Sequence, residues 1–440
     1  CVADPPAEAL ALYVDKDATA GAKTGADWAN AWTTFAQIDW TQVTPDTTIY
    51  ISGGTYNEQL MVQATGTDGH PIIITNGSTS PSPSGHTDAV IIDGAYSGAP
   101  TNGVYLIADS TPTDPQTRGF VTIDGLTITH WDYACVYISG VSGTTYSEAN
   151  AVEGVTISDN TIYVDGRYGV RVQTSKDIVI DGNTLTTSTT SSLSTVDQTD
   201  IVYVQRDTGT IISDNTIVMN NTDECTACHN DCIQTLSETN LTASGNYLEQ
   251  NNTKTDDAQG LFLEYSYGTT VATDNIIYSK NTSNAVNLKG SATDATLTLT
   301  GNTVAVDTDG TNVHLFWIRG FNNPTIQNNI AVHLSGNNPS VMHLASVAPA
   351  PVFTPTRDAS KISNNIFWNS GGGDIASLDG VGYTQAELAA ISTNLNSGVF
   401  NPDFDGKTSS TFKPTADDTV GGKTWAFMST TGAHVGAVAP

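Results

Sequence analysis

Basic residues are scarce in this chain: 16 Lys and Arg stand against 45 Asp and Glu, a formal net charge of −29 over 440 residues. A surface so poor in cations repels phosphate backbones and anionic headgroups, which excludes nucleic acid and electrostatic membrane binding as partners. Long hydrophobic runs are missing too. No stretch reaches the roughly 18 consecutive apolar residues of a membrane-spanning helix. Nor do apolar residues recur at 3.6-residue spacing along most of the chain, which excludes a helical solenoid. What is abundant is Thr, Asn, Ser, Asp and Gly. With 38% apolar residues a large core can still be buried, so these polar residues signal a turn-rich all-β protein rather than disorder. The length exceeds the usual domain of roughly 100–150 residues, so the chain is either several domains or one repetitive architecture.

The sequence repeats itself. VTIDGLTITHW from Val121, VTISDNTIYVDG from Val155, IVIDGNTLTTS from Ile178, TIISDNTIVMNN from Thr210 and LTASGNYLEQNN from Leu241 share one pattern, and it continues through TVATDNIIYSKN, LTLTGNT, PTIQNNIAVHLS and KISNNIFWNS. Anchored on Gly125, Asn160, Asn183, Asn215, Asn246, Asn275, Asn302, Asn329 and Asn365, the spacings are 35, 23, 32, 31, 29, 27, 27 and 36; Gly94 in VIIDG adds an earlier turn 31 residues before Gly125. Each unit reads as a short alternating strand, a tight Asn/Asp/Gly turn and a second strand, one coil of a parallel β-helix that buries its apolar face by stacking. An array of immunoglobulin-like sandwiches would not carry the same turn at the same phase. The fold class predicted is an all-β parallel β-helix of about ten coils. Trp28, Ala31, Trp32, Phe35 and Ile38, following Asp27, recur at helical spacing and predict an amphipathic helical cap over the first coil. The boundaries that follow are a tether at 1–10, the cap and first strand at 11–60, the β-helix at 61–375 and a closing segment at 376–440.

A second strand in each coil supplies the chemistry. With Val136/Ile138, Val170/Val172, Val202/Val204, Ile233/Thr235, Leu261/Leu263, Val286/Leu288, Phe316/Ile318 and Met342/Leu344 inward, the residues between them face outward. One outward column reads Tyr137, Arg171, Tyr203, Gln234, Phe262, Asn287, Trp317 and His343; the next reads Ser139, Gln173, Gln205, Leu236, Glu264, Lys289, Arg319 and Ala345; a third contributes Asp200 and Asp231. Aromatics beside guanidinium, amide and carboxylate groups on one rigid face suit an extended acidic polysaccharide, whose rings stack and whose carboxylates pair with Arg. Arg171, Tyr203, Gln205, Gln234, Phe262, Asn287, Trp317 and His343 are the candidate substrate contacts, with Lys289 and Arg319 close neighbours and Glu264 one coil below Lys289. A column of carboxylates could also support hydrolysis.

The cysteines carry two further readings. Cys225, Cys228 and Cys232 crowd into DECTACHNDCIQ, which predicts a local disulfide. Cys225-x-x-Cys228-His229 is equally the attachment signature of c-type haem, with His229 as iron ligand. A zinc site from the same cluster is disfavoured in an oxidising compartment. HNDCIQ also resembles a strand of bacterial carbohydrate-acting β-helix proteins, which implies sugar or metal binding by His229, Asp231 and Gln234, a reading of His229 that excludes the haem one. Cys135 and Cys232 lie too far apart along the coils to pair.

Two resemblances follow from these residues. Cys1 with the Val2–Leu10 stretch resembles the start of a mature bacterial lipoprotein, which implies an acylated Cys1, a lipid anchor and an extracytoplasmic location. ALYVDKDATAGAKTGADWANAWTTFAQI with TIYISGGTYNEQL, and the Asn-turn coils to about residue 375, resemble secreted right-handed parallel β-helix proteins of the pectate-lyase-like superfamily; the tail from Asn401 resembles their closing segment. Lyases of that superfamily imply Lys289 as base, Arg319 as charge neutraliser or acid, and a calcium ion held by Asp200, Asp231 and Glu264. The family's closely spaced glutamates before the lysine are not found. The function expected is β-elimination on a uronic acid polysaccharide. The competing expectation is a non-catalytic surface protein, an adhesin, glycan scaffold or self-associating filament subunit, carrying haem or not.

Overall fold

The structure, a computed structural model, describes residues 10–94, 101–108, 119–141, 151–187, 199–220, 230–251, 258–280, 284–291, 294–306, 314–333, 341–345, 362–363, 365–369, 375–378, 381–384, 387, 419–420 and 423–424. Residues 1–184 and 185–440 form two compact units.

In the first unit, three parallel sheets are traversed in turn. One holds Ala11–Val14, Thr48–Ile51, Ile72–Asn76, Val121–Asp124, Thr156–Ser158 and Val179–Asp181. A second holds Gly54–Tyr56, Val90–Asp93, Thr127–Thr129 and Thr161–Val164, and a third Leu60–Met61, Asn102–Ile107, Ala134–Ser139 and Tyr168–Gln173. The second unit repeats the plan. Its third sheet stacks Asp200–Gln205, Ile233–Leu236, the start of Leu261–Thr273, Val286–Gly290, Phe316–Arg319, Met342–Ala345 and Ala376–Leu378 in parallel. The inward pairs named from the sequence are the core: Val136, Ile138, Val202, Val204, Val286, Leu288, Phe316, Ile318, Met342 and Leu344 are all fully buried.

The Asn turns are held by an amide ladder. In the second unit, Oδ1 of Asn275 accepts from the backbone N–H of Asn246 at 3.1 Å and from its Nδ2 at 2.9 Å. Nδ2 of Asn275 donates to the Ala243 carbonyl at 2.9 Å and to Oδ1 of Asn302 at 2.9 Å. The same links join Asn302 to Asn329 and Asn329 to Asn365. Only a side chain with one acceptor and one donor group can both receive from one coil and give to the next, which is why Asn recurs. The preceding residue is left-handed, and Asp and Gly alternate there: Asp159 then Gly182 in the first unit, Asp214 then Gly245 and Asp274 then Gly301 in the second. A Cβ on Gly301 would collide with Oδ1 of Asp274, so the glycine makes room for the aspartate below it.

Three expectations are corrected. The cap is not an α-helix. It is three short 3₁₀ turns, Trp28–Asn30, Phe35–Gln37 and Trp40–Gln42. Asp27 and Asp39 cap two of them, and Trp32 between is extended and pairs with Val14; Ala31, Trp32, Phe35 and Ile38 are nonetheless buried. Gly94 does not mark an Asn-type turn. Its strand, Val90–Asp93, pairs with Thr127–Thr129 in the second sheet, and the earlier turn is at Asn76, whose strand aligns Thr75 with Asp124. The Asn position before Asn160 is Leu126, not Gly125, since the Leu126 N–H donates to Oδ1 of Asn160 at 3.0 Å.

The interior of the second unit also holds acids. Thr208 bridges Thr239, and Thr239 pairs with Tyr267, which puts Asp207, Glu238 and Ser266 at successive levels. Asp207 and Glu238 are each 1% exposed. Oε1 of Glu238 accepts from the Asp207 N–H at 3.2 Å. Burial, then the neighbouring Asp207 charge, pushes the Glu238 carboxyl well above the usual carboxylate range.

Candidate active site

The third sheet of the second unit brings Lys289 and Arg319 together as register partners on adjacent strands. Each rests on an aromatic face. The ammonium of Lys289 lies 3.5 Å from the Tyr265 ring centroid, and the guanidinium of Arg319 lies 4.0 Å from that of Trp317. Both cations are half-exposed, as are Glu264, Trp317, His314 and His343. His343 pairs with Trp317 in register, and the rings of His314 and His343 are 4.9 Å apart.

The bulge beneath Lys289 was not legible in the sequence. Leu263 pairs with Leu288 and Ser266 with Gly290, so Glu264 and Tyr265 both stand opposite the single residue Lys289. Tyr265 takes a left-handed backbone, φ 55°, and is 43% exposed. Glu264 thus keeps its place one coil below the lysine, and Tyr265 is added beside it. Oε2 of Glu264 accepts from Nε2 of Gln234 at 3.5 Å. A residue of φ > 0 that is neither Gly nor Asn gives almost no sequence signal.

Other expected contacts are placed differently. Tyr203, Gln234, Phe262 and Asn287 share one outward column, as the alternation required, yet each is at most 7% exposed. Side chains stacked at about the 4.8 Å strand spacing cover one another. Gln205, in the neighbouring outward column, is half-exposed. Arg171 belongs to the first unit, is 7% exposed, lies 5.0 Å over the Tyr168 ring and donates to Oε1 of Gln173 at 3.2 Å. Asp200 and Asp231 do not face outward. Both are fully buried, because they share the parity of Val202 and Ile233, which point inward. Oδ1 of Asp200 accepts from the Asp231 N–H at 3.2 Å, and Oδ1 of Asp231 from the Gln259 N–H at 2.6 Å. With two carboxylates committed inside and Glu264 outside, these residues do not fit a calcium site, and among the described residues no three His, Cys, Asp or Glu side chains are grouped to hold a metal ion.

Cys135 and Cys232 are buried free thiols, pushed upward in pKa mainly by burial. Their hydrogens point to the carbonyls of Tyr163 and Glu249. Cys1, Cys225, Cys228 and His229 lie outside the described residues.

Residues 85–331 match the family model described as the right handed beta helix region, more than half of the chain. The chain belongs to this β-helix family. Among solved structures it is similar to pectate lyase Pel9A, with 13% identity, 97% of this chain and 95% of that one covered, and a TM-score of 0.51. It is also similar to XylC in complex with xylose (11% identity, 81% and 85% covered, TM-score 0.43) and to a rhamnogalacturonan lyase (10%, 94% and 94%, TM-score 0.42). No curated protein matches. At these identities the likeness is one of fold, a right-handed parallel β-helix.

Proposed function

We propose that the protein cleaves a uronic acid polysaccharide by β-elimination on the third sheet of its second unit. The observation that carries this reading is the Lys289/Arg319 pair, two cations side by side on a chain of net charge −29, each backed by an aromatic ring. The likeness of fold to pectate lyase Pel9A supports the same class.

In this reading Arg319 binds the uronate carboxylate and withdraws charge from it, which acidifies the adjacent C5 proton. Lys289 accepts that proton on Nζ as general base, and the ammonium so formed lies over the Tyr265 ring. The electron pair forms the C4–C5 double bond, the C4–O glycosidic bond breaks, and the lysine ammonium returns the proton to the leaving oxygen. Trp317 offers a stacking face for the sugar, and Tyr265 fixes the lysine by cation–π attraction. Secretion and a lipid anchor through Cys1 suit such a substrate, and the intact mass of protein from its native host tests them: an added acyl mass at Cys1 is expected, and an added haem would instead assign Cys225-x-x-Cys228-His229 to that cofactor.

The test of the function is a panel of polygalacturonate, alginate blocks and glucuronan with product mass spectrometry. Elimination yields unsaturated ends that lack the elements of water relative to hydrolysis products. Hydrolytic products, or no cleavage of any member, would overturn the proposal.

A further inference from the structure

Two of the eight histidines of the chain meet ring to ring in the second unit. His343 stands on Met342–Ala345 as the register partner of Trp317, and His314 leads into the neighbouring strand, Phe316–Arg319. Their ring centroids are 4.9 Å apart with planes at 32°, and the rings of His314 and His343 lie 6.4 Å and 6.3 Å from that of Trp317. Both backbones are held. His343 lies within the parallel ladder, and the His314 N–H donates at 2.9 Å to Oδ1 of Asn284, a residue only 7% exposed. Both imidazoles are half-exposed and within reach of a dissolved ion. His70 and His130 each sit against a carboxylate, Asp46 and Asp93, at 2.8 Å; His314 and His343 sit against each other.

We propose that His314 and His343 bind a divalent first-row transition metal ion as a two-histidine chelate, with water filling its remaining positions. Imidazole nitrogens lie about 2.0–2.1 Å from such an ion, and two of them at an angle of about 90–110° bring their ring centroids to about 4.5–5.2 Å. The observed 4.9 Å falls inside that span, so the pair can chelate by rotation of its side chains alone. The two residues come from adjacent coils whose spacing the sheet fixes, so little ordering is lost on binding. Imidazole nitrogen selects Zn²⁺, Ni²⁺ or Cu²⁺ over Ca²⁺ and Mg²⁺, which take oxygen ligands, and Cu²⁺ binds tightest. The net charge of −29 draws dications toward the chain, against the local charge of Arg319, whose guanidinium lies over the Trp317 ring. With two protein ligands and open water positions, the ion exchanges with solution rather than holding the fold together. The inference does not depend on cleavage, since neither histidine has a step in the elimination.

The test uses the full chain with its accessible thiols blocked by iodoacetamide, so that cysteine does not compete for the metal, and Cu²⁺ is the probe. Equilibrium dialysis counts bound ions, and quenching of tryptophan fluorescence reports an ion close to Trp317. The wild type is expected to hold one more Cu²⁺ than His314→Gln/His343→Gln. Each single variant is expected to bind that ion about tenfold or more weakly, since losing even a supporting partner costs a metal site about 10–100-fold. Two measurements on the wild type need no histidine variant to fold. Electron paramagnetic resonance is expected to show Cu²⁺ with nitrogen ligands in a tetragonal field, and excess Ca²⁺ is expected to leave the ion in place. Trp317→Phe is expected to keep the ion and lose part of the quenching. Equal Cu²⁺ binding by the wild type and the double variant, displacement by Ca²⁺, or a copper signal without nitrogen ligands overturns the inference. Failure of the lyase reading alone shows as absent cleavage by the wild type with this ion still bound.

Discussion

Replacing Asn275 by Ala strikes the amide ladder at its middle. The substitution strands the buried backbone N–H of Asn246, whose hydrogen bond goes to Oδ1 of Asn275, and removes one partner each from Nδ2 of Asn246, the Ala243 carbonyl and Oδ1 of Asn302. A stranded buried donor costs about 1–3 kcal/mol and each further hydrogen bond about 0.5–1.5, so the loss is about 3–7 kcal/mol. Asn275 is wholly buried, so water cannot replace the amide without a cavity to hold it. Thr298→Ala, on a half-exposed side of the adjacent coil, is the control and is expected to cost within about 0.5 kcal/mol. Urea unfolding followed by circular dichroism gives the total, and native-state hydrogen exchange of the Asn246 amide gives the local effect, since coils communicate through nearest neighbours. If Asn275→Ala costs no more than Thr298→Ala and the Asn246 amide keeps its protection, the ladder is not what fixes the turns.

Three other outcomes are expected. Glu238 ionises near 4.5 when unfolded but keeps its proton to higher pH when folded; stability is therefore complete below that pH and falls by up to about 1.4 kcal/mol per unit as pH rises toward the folded value. Glu238→Gln removes this slope, so urea titrations over a pH series should cross; parallel curves would contradict the buried acid. Gly301→Ala forces a left-handed Ala onto Oδ1 of Asp274 and should cost about 1–2 kcal/mol or more, read as a lowered urea midpoint; an unchanged midpoint would refute the Asp/Gly interlock. Native protein treated with iodoacetamide should leave the Cys135 and Cys232 peptides unmodified and label them only after unfolding, because both thiols are buried; labelling in the native state would count against the core.

Much of the fold could be read from residues because it rests on short-range rules repeated coil by coil. The Asn positions and the inward pairs such as Val286/Leu288 and Phe316/Ile318 recur in sequence and stack in register. The errors have physical causes. Trp28, Trp32, Phe35 and Ile38 are spaced like a helix, but Asp27 and Asp39 each cap the start of a separate short turn, and Trp32 is extended and pairs with Val14. Asp200 and Asp231 fall in a column that reads as part of the outward strip, although their parity with Val202 and Ile233 puts them inside; Oδ1 of each accepts from a backbone N–H there. The adjacency of Lys289 and Arg319 followed from alternation alone, whereas the Tyr265 bulge that supports Lys289 depends on a strained backbone the sequence does not mark.

The central claim is that Lys289 and Arg319 together perform the elimination. Its most direct test follows the ultraviolet absorbance of newly formed unsaturated uronate on whichever uronic acid polymer the wild type cleaves, in Lys289→Ala and in Arg319→Ala. Loss of at least about a hundredfold in rate is predicted for Lys289→Ala, the range of a removed general base, and a comparable loss for Arg319→Ala, with both variants keeping the wild-type circular dichroism. Cleavage undiminished in both would contradict the account.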